Sequence, residues 1–130
     1  MARKMQVDPR ATVVTLISSE DMSSAAGLAV KQDAGGTVSI SDAATDTIVG
    51  VCVDGGNASG DAVAICKLGR CKIRAGAAIN EGARLTSESG GRLIATTTLG
   101  NYTIGMAEND AADGDYFWAI ITPGRVGTYA

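Results

Sequence analysis

Glycines recur along this chain at a fixed offset, and that recurrence restricts the fold more than any other feature. Gly27, Gly35, Gly36, Gly50 and Gly69 stand 55 residues before Gly82, Gly90, Gly91, Gly105 and Gly124, and Gly60-Asp61 returns one residue out of step as Gly114-Asp115. Apolar residues between the glycines match as well: Val49 with Ile104, Val51 with Met106, Val63 with Phe117. Paired turn positions with paired apolar segments are the mark of a repeated supersecondary unit. The sequence therefore predicts two related β-units, residues 27–70 and 82–125, within a single domain covering 11–130. A chain of 130 residues has room for one core of ordinary size.

Each unit reads as short strands between turns. Lys31–Gly36 and Thr86–Gly91 carry residues that tolerate positive φ, as tight hairpins require. Thr47–Val53 is a β-branched run, Asp54–Gly60 is turn-rich, and Ala62–Leu68 reads as the next strand. The second unit repeats the order through Arg84–Thr86, Arg92–Ala95, Tyr102–Ala107 and Tyr116–Ile121. Long helices are disfavoured, since an interior glycine costs about 1 kcal/mol relative to alanine. At most two short ones fit, Ser19–Ala25 behind a serine cap and Ala75–Asn80. The expected class is all-β, a small sandwich or barrel.

Residues 1–10 lack alternation and include Pro9, which predicts an extended N-terminal arm. Arg3, Lys4 and Arg10 against Asp8 give the arm a charge of +2, which leaves −5 for the rest of a chain whose net charge is −3. A body of that sign lacks the clustered cations that displace counterions from nucleic acid, so no nucleic-acid partner is expected. No apolar stretch approaches the roughly 20 residues that span a bilayer, and no membrane partner is expected either. Ala11–Ile17 follows a basic start as a signal peptide would, but Thr12 and Thr15 interrupt it and Glu20-Asp21 follow, so it reads as a first strand.

The chain contains no histidine, which removes the usual general base, the common nucleophile pairs and the commonest zinc ligand. Gly55–Gly60 has the outer glycines of a phosphate loop, yet Asp61 and Ala62 stand where that loop needs Lys and Ser or Thr. Glu108–Asp115 holds four carboxylates in eight residues without the order of a calcium loop, and reads as a solvated acidic turn. Cys52, Cys66 and Cys71 lack metal-site spacing; Cys66 aligns with Ile120 and Cys52 with Ala107, which predicts buried packing roles. No catalytic residue, cofactor or metal is expected. Tyr116-Phe117-Trp118 places three of five aromatics in one strand, where alternation sends Phe117 to one face and Tyr116 with Trp118 to the other. Phe117 aligns with Val63 and reads as core; Tyr116 and Trp118 fill a hole in the core or form the apolar centre of a subunit contact.

Across residues 12–126 the chain resembles the capsid cement, or head decoration, proteins of tailed bacteriophages. The resemblance is carried by Ala26–Val30, Ile48–Val51, Gly60–Val63, Gly69–Ile73 and Ala75–Gly82, then by Ile104–Ala107 and Thr122–Val126. It implies a non-enzymatic β-rich domain, commonly a homotrimer, on the outside of the virion shell where major capsid subunits meet, assembled in the host cytoplasm. In that setting the arm residues Arg3, Lys4, Gln6, Val7 and Arg10 are the expected capsid-binding element, added as a strand to a capsid sheet edge. Tyr116 and Trp118 are the expected subunit interface. The competing expectation is a carbohydrate-binding or adhesive β-domain that stacks sugars on the Tyr116/Trp118 face. A small carboxylate enzyme is weaker still, because no two acidic groups are placed to converge.

Overall fold

The computed structural model describes residues 5–44, 46–56, 58–96 and 102–125. Nine strands follow in order: β1 (Thr12–Ile17), β2 (Ala29–Gln32), β3 (Val38–Ile40), β4 (Ile48–Asp54), β5 (Ala62–Arg74), β6 (Arg84–Ser87), β7 (Leu93–Ala95), β8 (Tyr102–Ala107) and β9 (Tyr116–Arg125). A single 3-10 turn, Ala34–Gly36, is the helical content of the described residues. All strand pairings are antiparallel, in the order β3-β2-β4-β5-β9-β8-β6-β7, and β1 lies against β5 outside that path. The sheet curls on itself, a half-barrel of the class the turn pattern predicts. β3-β2-β4-β5 on one side and β7-β6-β8-β9 on the other share one pairing order.

Gly50 in β4 and Gly105 in β8 show what the 55-residue offset secures locally. A Cβ at Gly50 would fall on the Cys66 carbonyl of β5, and one at Gly105 on the Ile120 carbonyl of β9. Equivalent strands thus approach their neighbours too closely for any side chain. Both sites sit beside a register shift, Gly50 in the β2/β4 ladder and Gly105 in the β8/β9 ladder, where the bulged backbone twists and the sheet bends.

The core is built from small residues, and Phe117 is its largest fully buried side chain. β4 explains its own apolar run: Val51 and Val53 join one cluster with Ile73, Leu85, Ile104 and Phe117, while Cys52 turns to a second with Met22, Val30, Val63 and Ile65. A strand covered on both faces needs apolar residues at consecutive positions.

Neither expected helix forms. Ala75 and Ile79 are drawn into bridges with Leu93 and Ala111. Near Ser19–Ala25 the Asp21 carboxylate accepts from Ser23 N–H at 2.9 Å, the side-chain competition that unseats a helix start. Two sheet edges are also covered from within. Ser19 N–H donates to the Val38 carbonyl at 2.9 Å and Ile40 N–H to Glu20 Oε2 at 2.8 Å along β3, and Gly76 N–H donates to the Leu93 carbonyl of β7 at 2.8 Å.

Candidate docking face

β5 and β9 run antiparallel with Arg70 opposite Ile120, Lys72 opposite Trp118 and Arg74 opposite Tyr116. The alternate residues Cys71, Ile73, Phe117, Ala119 and Ile121 are all buried, so period-two alternation sends the first set outward. Register carries the same face across two further strands, since Ile120 pairs with Met106 of β8 and Met106 with Arg84 of β6. Four cations thus share one surface with Tyr116, Trp118, Ile120 and Met106.

The rings and cations are in contact. The Arg70 guanidinium lies 4.0 Å from the Trp118 ring centre, Lys72 Nζ lies 6.0 Å from the same ring, and the Arg74 guanidinium lies 5.9 Å from the Tyr116 ring. Arg70 Nε also donates to both oxygens of Glu108 at 2.9 Å. Trp118 and Tyr116 are half-buried, whereas Ile120 is 39% exposed and Met106 44%. Arg74 Nε is buried without a hydrogen-bond partner among the described residues.

Arg10 reaches the margin of this face. A cleft of about 310 Å³ is lined by Asp8, Arg10, Ala11, Gly69, Arg70, Glu108 and Ile120. Asp8 Oδ1 accepts from the Arg10 backbone N–H at 2.8 Å and from its Nε at 3.4 Å, and these bonds hold the Asp8 carboxyl below its ordinary range. Gln6 and Val7 are already engaged: Lys72 N–H donates to the Gln6 carbonyl at 3.0 Å, Val7 sits opposite Cys71, and Asp8 N–H donates to the Arg70 carbonyl at 2.8 Å. This segment satisfies backbone groups of β5 with the edge it turns toward that strand. Arg3 and Lys4 lie outside the described residues.

The other sites considered from sequence part company in space. The carboxylates of Glu108–Asp115 turn to separate partners: Glu108 to Arg70, Asp110 to Glu81 N–H at 2.7 Å, Asp113 to Arg92 at 3.6 Å, Asp115 to Ala112 N–H at 3.0 Å. All three cysteines are buried. Burial pushes the Cys52 thiol up to about 12, and Cys71 is raised by its hydrogen bond with Cys66 and by burial. Cys66 is lowered by that same bond from Cys71 although burial opposes the shift; Cys52 and Cys71, held protonated in the core, are packing groups. Val13, Ile17 and Leu68 are also exposed, and Leu68 lines a second groove of about 460 Å³ with Thr12, Val14, Val49 and Lys67.

Sequence alone pointed to Tyr116 and Trp118 but missed Arg70, Lys72 and Arg74, whose spacing of two was the available signal. Ile120, Met106 and Arg84 join only through strand register.

The sequence matches the family model described as phage cement protein over residues 15–121. No curated protein matches it. Among solved structures, the head fiber gp8.5 N base in bacteriophage phi29 is similar in fold, with a TM-score of 0.67 at 20% identity, over 89% of this chain and 98% of that one.

Proposed function

This chain belongs to the phage cement protein family, and from that premise we propose that it binds the outer surface of a phage head and clamps neighbouring major capsid subunits. The family makes it a structural protein of the phage head. The observation that carries the finer reading is the extent of the match: residues 15–121 include every residue of the cation–aromatic face as well as the core behind it. Clamping works by multivalency. Once one contact holds the domain on the shell, a second to an adjoining subunit forms at high effective concentration, so individually weak contacts resist outward pressure together.

The basic N-terminus, Arg3, Lys4 and Arg10, contributes cations toward shell carboxylates in this reading, while Gln6 and Val7 hold the segment along β5. Sugar stacking on Trp118 is disfavoured, because that ring already carries the Arg70 guanidinium at 4.0 Å. The test is reconstitution. Phage heads assembled without this protein are mixed with the purified chain, sedimented, and heated until they release DNA. Saturable occupancy and a higher release temperature are expected; absence of binding to heads overturns the reading.

A further inference from the structure

Resting on the reading that this chain attaches to a phage shell, we propose that the outward face of β5, β9, β8 and β6 is the shell-binding surface. It receives a carboxylate-bearing segment of the capsid protein against Lys72, Arg74 and Arg84, with Trp118, Ile120 and Met106 as the apolar centre.

The first argument is charge. The chain as a whole is acidic, at −3, yet Arg70, Lys72, Arg74 and Arg84 share a face on which Glu108 meets only Arg70. Three of the four cations with described side chains elsewhere have acidic partners, Arg10 with Asp8, Lys31 with Asp42 and Asp46, and Arg92 with Glu88 and Asp113, while Lys67 stands alone at the second groove rather than in a cluster. Among the described residues Lys72, Arg74 and Arg84 form no ion pair. Three uncompensated cations gathered by strand register on an acidic protein call for acceptors from outside.

The second argument is Arg74 itself. Its Nε is buried under the surface without a partner among the described residues, although its guanidinium rests near Tyr116. An unmatched buried donor costs about 1–3 kcal/mol, and an incoming carboxylate removes that cost while forming a charge-assisted bond. The third is the make-up of the patch. Exposed Ile120 and Met106 beside half-buried Trp118, rimmed by cations, have the apolar centre and polar rim of a protein contact.

Three other occupants fit less well. The same face of a second copy brings cations against cations. The acidic loop of a second copy is spent, since its carboxylates are bonded to Arg70, Glu81, Arg92 and Ala112 of their own chain. Nucleic acid, with a phosphate at every step, would run past Glu108 and Asp115, which adjoin Ala107 of β8 and Tyr116 of β9, where an extended polyanion is repelled more than a single carboxylate is.

The experiment compares wild-type protein, the Lys72→Glu/Arg84→Glu pair, the conservative Lys72→Arg/Arg84→Lys pair and Lys67→Glu in the second groove. Each is titrated onto heads assembled without the protein, at low and high salt, after a thermal melt confirms folding. The charge-reversed pair should bind at least about tenfold more weakly and lose salt dependence, with the conservative pair and Lys67→Glu close to wild type. Wild-type binding with an undiminished charge-reversed pair overturns this inference and leaves the parent reading standing; no wild-type binding overturns the parent reading. A charge-reversed pair that changes the self-association of the free protein, or its retention on duplex DNA, while binding heads normally also overturns it.

Discussion

Adjacent aromatic residues of β9 should differ sharply in what they contribute. Phe117 is 1% exposed and packs with Ile73, Leu85, Ile104 and Ile121, so Phe117→Ala removes the largest core side chain. A buried Phe→Ala change costs about 3–5 kcal/mol, out of a total of about 5–15 kcal/mol for a domain of this size. At roughly 3–5 °C per kcal/mol for such a chain, the midpoint falls by about 9–25 °C. Trp118, one residue on, is half-buried on the outer face. Its contact with Arg70 contributes about 0.5–1 kcal/mol, and its partial burial brings the cost of Trp118→Ala to about 1–2 kcal/mol. The assay is thermal and urea unfolding followed by circular dichroism at one protein concentration, because self-association would make the midpoint concentration-dependent. Equal losses from the two variants, or a loss under about 1 kcal/mol for Phe117→Ala, would refute the assignment of faces in β9.

Gly105→Ala should cost about 2–5 kcal/mol, combining overpacking against the Ile120 carbonyl with strain at φ +151, whereas Gly60→Ala at φ +90 with open space around it should cost about 1–2 kcal/mol; urea midpoints measure both. Acid should destabilise the fold through Asp46: burial works to raise its carboxyl, but backbone N–H groups of Asp42 and Ala43 and the Lys31 ammonium outweigh it and leave it lowered from 3.8. Its contribution is present above pH 3.8 and lost as pH falls through the lower folded value, so unfolding midpoints should drop below that pH and Asp46→Asn should flatten the drop. All three thiols should resist a chromogenic disulfide reagent in the native protein and react together on denaturation, since Cys52, Cys66 and Cys71 are all fully buried; a fast-reacting native thiol would contradict that burial.

Turn chemistry was readable in the sequence because glycine tolerates what turns demand, and the hairpins at Gly35-Gly36 and Gly90-Gly91 are where that reading places them. The same rule failed at Gly69. Read as a turn, it instead sits inside β5, which continues to Arg74 at a φ of +109. β9 on one side and residues 6–8 with close-packed Ala11 hold the chain extended there, and neither partner is local in sequence. The docking of residues 5–8 was hidden for the same reason: they lack alternation, but backbone groups of Arg70 and Lys72 need partners and find them in Gln6 and Asp8. Of the docking face, alternation along one strand revealed the pairing of Tyr116 with Trp118. Joining them to Met106 and Arg84 takes the register of β9, β8 and β6, which no single-strand pattern contains.

The position of the cations has a mechanical consequence for a clamp. Arg70, Lys72 and Arg74 all project from β5, whose residues 64–66 pair with both β1 and β4 and whose residues 70–72 bond to both β9 and the N-terminal segment. If these cations hold the shell as proposed, a pull on one of them is shared by ladders on either side of a single strand, many hydrogen bonds at once. Cations on β3 or β7 would instead load three-residue strands that peel one bond at a time. Behind β5, Cys71 and Ile73 lock into the cluster around Phe117. Carrying the contact residues on the strand with the most partners lets a core of small side chains bear load that its burial alone would resist poorly, and it makes residues 5–8 part of that resistance. Deletion of residues 1–8 should accordingly lower the unfolding midpoint of the free protein as well as its hold on the shell, whereas an arm that acted only by reaching the capsid would leave the free protein unchanged.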